Sequence, residues 1–117
     1  MATEVGQGDF RYEVISDWAK LPEGWSFGWI PSVAVDSRDR VYVYSRSEHP
    51  MIVFDTDGNF LESWGEDVLV PANAHGIYID EDDAIYCTEW LGHCVYKFNR
   101  DHELEWVLGT PGVPRPP

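Results

Sequence analysis

Four histidines, two cysteines, an acidic run and six tryptophans are among the most chemically versatile side chains of this 117-residue chain. Imidazole holds metals or moves protons, thiolate attacks or ligates zinc, and clustered carboxylates suit calcium. Cys87 and Cys94 lie on the arms YCTEW and CVYKF, with Leu91-Gly92 near the turn. In that hairpin register Cys94 faces Glu89 and Cys87 faces Tyr96, so the sulfurs are not opposed and no disulfide is expected. Both read as ordinary buried thiols of an intracellular protein. The run Asp80, Glu81, Asp82, Asp83 lacks the Gly and the terminal Glu of an EF-hand loop and reads as a solvated turn. His49 and His93 recur at equivalent hairpin positions, which favours a structural role such as a hydrogen bond across the turn. His102, in Arg-Asp-His-Glu, reads as solvated. Trp64, Trp90 and Trp106 read as packing residues. Taken alone, His75 before a strand and Arg46 at a hairpin end are unremarkable.

What positions these residues is a repeat. Shifted by 44 residues the chain matches itself without a gap, SVAVDSRDRVYVYSRSEHPMIVFDTDGNFLESWG from Ser32 against GIYIDEDDAIYCTEWLGHCVYKFNRDHELEWVLG from Gly76. Asp36 falls on Asp80, Tyr42 on Tyr86, His49 on His93, Phe54 on Phe98 and Gly65 on Gly109. Period-two alternation of β-branched and aromatic residues predicts four strands per repeat: Ser32–Asp36, Arg40–Ser45, Met51–Asp55 and Asn59–Trp64, then Gly76–Asp80, Ala84–Glu89, Cys94–Asn99 and Glu103–Leu108. Asp57-Gly58 is a hairpin signal. A four-stranded unit recurring at this spacing predicts an all-β chain of two β-propeller blades.

Composition narrows the function classes. Eight Lys plus Arg against 21 Asp plus Glu leave a net charge of −13, which argues against nucleic acid or an anionic membrane as partner. An apolar fraction of 44% supports a packed core, and no apolar run is long enough to span a bilayer. With no secretory signal or disulfide framework in view, the expected compartment is cytoplasmic.

The motif style, Phe-Asp-x-Asp-Gly-Asn-Phe-Leu after apolar-Tyr-Val, resembles NHL-repeat propellers over roughly residues 28–112. SVAVD, SRSEH and AHGIYID further resemble the opening blades of peptidylamidoglycolate lyase, a six-bladed propeller that cleaves peptidyl-α-hydroxyglycine to an amidated peptide and glyoxylate. The resemblance implies a metal-dependent carbon–nitrogen lyase with an axial zinc and a nearby calcium. It makes His75 of AHGI the first zinc ligand, the carbonyls of Val33 and Ile77 calcium ligands, and Arg46 of SRSEH the catalytic arginine. The family's other zinc histidines, its tyrosine and its calcium-binding aspartate have no counterpart in these residues. Trp90, opposite Arg46 under the 44-residue shift, cannot replace the tyrosine as a proton acceptor, because indole only donates.

Two blades do not close a ring. The expected organisation is a disordered stretch 1–9, a closing strand and connector 10–30 whose strand FRYEVIS has no local partner, blades at 31–66 and 67–110, and a Pro-rich tail 111–117. A homotrimer would supply six blades and three copies of His75 around an axis, alternating with Pro31. Three functional expectations follow: a lyase-like metalloenzyme, a non-catalytic propeller binding a small molecule, peptide or protein, and an inactive portion of a longer lyase-like protein.

Overall fold

Four loops at one end of the molecule are the same turn, built four times. Asp36, Asp55, Asp80 and Asn99 each accept the backbone N–H groups two and four residues on through one side-chain oxygen, at 2.9–3.0 Å. The third residue on returns its N–H to the first carbonyl at 3.0–3.1 Å. That third residue has a left-handed backbone: Asp39, Gly58, Asp83 and His102, at φ between 60° and 79°. Short polar side chains that mimic a backbone turn explain why Asp and Asn open these loops. Gly58 is required twice over, by its φ and because a Cβ there would overlap the Trp18 carbonyl.

The computed structural model describes residues 2–117. Its strands are β1 Thr3–Gln7, β2 Phe10–Val14, β3 Ser32–Val35, β4 Val41–Tyr44, β5 Met51–Phe54, β6 Phe60–Trp64, β7 Ala74–Ile79, β8 Ile85–Glu89, β9 Cys94–Phe98 and β10 Leu104–Leu108. β3 to β6 form one antiparallel four-stranded meander and β7 to β10 a second. β3 and β7 lie side by side as the inner strands. The Cys87↔Tyr96 and Glu89↔Cys94 pairs stand in the register expected from the sequence, and both thiols are free and buried.

Period-two side chains give each sheet two faces. Tyr42, Tyr44, Met51 and Val53 of the first meet Ile85, Cys87, Tyr96 and Phe98 of the second, forming the main core. Asp83 adds a polar clasp between the sheets, accepting the Ser37 N–H at 2.8 Å and hydroxyl at 2.6 Å. Those two bonds, the hydroxyl first, hold its carboxyl below the usual carboxylate range. So the acidic run is a turn, with Asp80 spent on backbone N–H groups and Asp83 on the neighbouring sheet. On the far face of the first sheet, Val43, Ile52 and Phe54 are covered by Trp18, Ala19, Leu21, Trp25 and Phe27. The connector thus occupies much of the face on which a preceding blade would pack.

Two sequence expectations need correction. Residues 3–7, expected to be disordered, form β1, and β2 therefore has a local partner rather than being a lone strand. The two glycines Gly6 and Gly8, both at positive φ, allow the tight return. His102, expected to be solvated, is largely buried between the sheets. Its ring stacks on Trp64 at 4.3 Å between centroids, and Nε2 lies 3.2 Å from the Tyr42 hydroxyl. The left-handed backbone at His102 turns its side chain inward across the blade boundary.

Candidate functional site

The antiparallel order places all four repeated turns at one end and the β4–β5, β6–β7 and β8–β9 connections at the other. Arg46, His49, His75, Trp90 and His93 all belong to this second end. Its loops are irregular, so each is pinned by its own bonds. The Ser45 N–H donates to Pro50 O at 2.8 Å, closing the loop that carries Arg46 and His49. The Ser45 hydroxyl donates to the Phe27 carbonyl. In the second sheet the equivalent residue is Glu89, whose carboxylate takes the Val70 N–H at 2.7 Å and fixes the β6–β7 connection.

Arg46 is the most constrained cation of this end. Its N–H donates to Trp29 O at 2.8 Å and its Nε to Ala74 O at 2.9 Å. The guanidinium carbon lies 5.9 Å from the Trp29 ring centroid and 5.8 Å from that of Trp90. Both are within cation–π range. The terminal nitrogens of Arg46 have no hydrogen-bond partner among the described residues. Arg46 borders a cleft of about 890 Å³ lined by Trp25, Gly28, His49 and Pro71, among others. His49 stacks on Trp25 at 3.4 Å between centroids, and its Nδ1 lies 3.2 Å from Glu66.

His75 sits next to this arginine through the backbone. β7 carries a bulge in which His75 and Gly76 together oppose Thr88. Gly76 N–H donates to the Thr88 hydroxyl at 2.8 Å, holding the bulge. A bulge re-aims a side chain, and His75 is exposed directly after the residue whose carbonyl Arg46 holds. Val33 and Ile77 lie on the neighbouring inner strands, linked by a 3.4 Å bond from the Ile77 N–H to the Ser32 hydroxyl.

These blades have known counterparts. A selenomethionine-substituted virginiamycin B lyase from Staphylococcus aureus superposes with a TM-score of 0.58 over 76% of this chain and 30% of that one, at 14% identity. NHL repeat-containing protein 3 of Homo sapiens is 34% identical over 111 residues, covering 86% of this chain and 31% of that protein. The two sheets are NHL-type propeller blades. The Mus musculus protein of the same name is 37% identical over 90 residues, covering 68% of this chain and 25% of that protein. The chain thus spans about a third or less of the curated relatives it matches. No family model matches it.

NHL-type blades put their inner strands beside the axis, where the resemblance to the lyase placed metals. The donor set does not fit one chain. No three His, Cys, Asp or Glu side chains gather into a metal site among the described residues. His75 is a single imidazole, whereas zinc sites use three or four protein ligands. Neither SVAV nor AHGI contains a carboxylate, so the carbonyls of Val33 and Ile77 offer calcium no charge compensation from their own strands. Arg46 and the start of the His75 strand are brought together, while zinc and calcium would need donors from outside this chain. Sequence reasoning missed Trp29, Trp25 and Glu66. Trp29 falls on Asn73 under the repeat, so no periodic signal marked it.

Proposed function

We propose that this NHL-type blade pair is a binding module whose site is Arg46, taking a carboxylate of a peptide or small molecule. One observation carries the reading: a guanidinium clamped by Ala74 and two indoles, with its terminal nitrogens unpaired among the described residues, on a residue that lines the cleft. A preorganised planar fork suits bidentate carboxylate recognition. Trp29 and Trp90, 77% and 50% exposed, supply apolar surface for what the carboxylate is attached to. The test is a titration with a short peptide ending in free glycine, followed by tryptophan fluorescence. The free acid is expected to bind at least tenfold tighter than its amide, and Arg46→Ala to abolish the difference. Equal binding of acid and amide overturns the reading.

A second reading is a lyase-like enzyme, favoured by the direct succession of Ala74, held by Arg46, and His75. Zinc there would polarise a substrate hydroxyl, with Arg46 gripping the carboxylate. It requires further donors, as from a ring of three chains or from the rest of a longer protein. Glyoxylate release from a peptidyl-α-hydroxyglycine with added zinc, lost in His75→Ala, separates it from binding alone.

A further inference from the structure

Among the described residues, two sheet faces leave apolar side chains exposed. The first belongs to the N-terminal hairpin. Its cross-strand pairs Thr3↔Val14, Val5↔Tyr12 and Gln7↔Phe10 share one face, while Glu4↔Glu13 and Gly6↔Arg11 share the other. Tyr12, Phe10 and Val14 are all exposed, Tyr12 by 61%. A two-stranded hairpin is marginal alone in water and gains stability by covering such a face.

The second is the open face of the second blade. Tyr78, Tyr86, Lys97 and Trp106 form a row across its strands, beside Val95 and Leu108. Tyr86 lies 5.9 Å from Tyr78 and 6.1 Å from Trp106 between centroids. Under the 44-residue shift Tyr86, Val95 and Leu108 occupy the positions of Tyr42, Met51 and Trp64. Those three are interface residues of the first blade, packed against the second. The open face therefore continues, by repeat, a surface already used for sheet-on-sheet packing.

The two faces do not meet within one chain: Tyr12 of the hairpin and Trp106 of the blade face are 61% and 42% exposed. The hairpin leads instead into Trp18, which is seated on the outer side of the first blade.

We propose that the apolar face of the β1–β2 hairpin docks on the open face of the second blade of another copy of this chain. The contact joins unlike surfaces, so it runs head to tail and repeats until a ring closes. Three copies, the number that gives six blades, is the expected ring.

The test uses the full chain in size-exclusion chromatography with light scattering over a hundredfold concentration range. The wild type is expected to associate. Tyr12→Glu spoils only the hairpin and Trp106→Glu only the blade face, so each alone is expected to be monomeric. Mixed, they are expected to form a one-to-one complex through the one intact hairpin and the one intact face. Phe10→Glu and Tyr78→Glu, at two further exposed positions, repeat the design if either first variant misfolds. A wild type that stays monomeric, single variants that still associate, or a mixture that stays monomeric each overturns the proposal. The first of these results would leave the open face to a further blade of a longer chain.

Discussion

His102 shows how much one backbone angle decides. At φ 66° its side chain crosses to Trp64 and Tyr42 instead of entering solvent. Burial pushes the imidazole below its usual range, with the Glu62 carboxylate pulling the other way. A histidine held neutral by the fold contributes stability above its unfolded pKa of about 6.5, and that contribution is lost as pH falls through the lower folded value. Melting temperature is therefore expected to drop between pH 7 and 5. His102→Asn, which tolerates the left-handed backbone, should melt lower at pH 7 and show a shallower drop. An unchanged slope would mean that other groups set the pH dependence. The sequence could not reveal this histidine, because its turn reads as polar and only the neighbouring blade makes it buried. Arg46 was marked by motif resemblance, and Trp90 by the repeat. Their stacking became visible only with the loops in place.

Strands and turns were the most legible elements. Alternation located all eight blade strands, and Asp57-Gly58 announced its hairpin, because period-two burial and positive φ leave direct traces in residue type. Asn99–His102 escaped recognition as a copy of the same turn, since Asn replaces Asp and His replaces Gly. The connector was opaque for another reason. Trp18, Leu21, Trp25 and Phe27 follow no period, yet they cover Val43, Ile52 and Phe54. The hairpin was missed because every residue of it is exposed and its polar alternation resembles a tail. Gly58 joins turn and connector, lying against Trp18 while Trp18 Nε1 donates to Thr56 O at 3.0 Å. Gly58→Ala is expected to cost about 1–3 kcal/mol, combining backbone strain with displacement of Trp18. Urea unfolding reads the cost. A loss below about 0.5 kcal/mol would show that the connector can shift freely.

At the scale of the molecule, the repeated turns and the irregular connections divide the labour. One end holds the strands in register, and the other carries Arg46 and His49 on a loop that differs between blades and His75 at the bulge that opens β7. The identity of the blades was readable because the 44-residue repeat is gapless. The stacking of Arg46 between Trp29 and Trp90 was not, because residues drawn from three separate segments leave no joint signature in the repeat.

The placement of the thiols gives this protein a built-in clock. Cys87 is fully buried at the seam between the blades, against Tyr44 and its neighbours, and burial drives its ionisation far above the usual range. A disulfide reagent can reach it only when the seam parts. If the blades part before either unravels, modification of Cys87 in native buffer should outpace global unfolding, with Cys94→Ser removing the second signal. Should the two rates coincide, blade separation and unfolding are one event, and the pair behaves as a single cooperative unit.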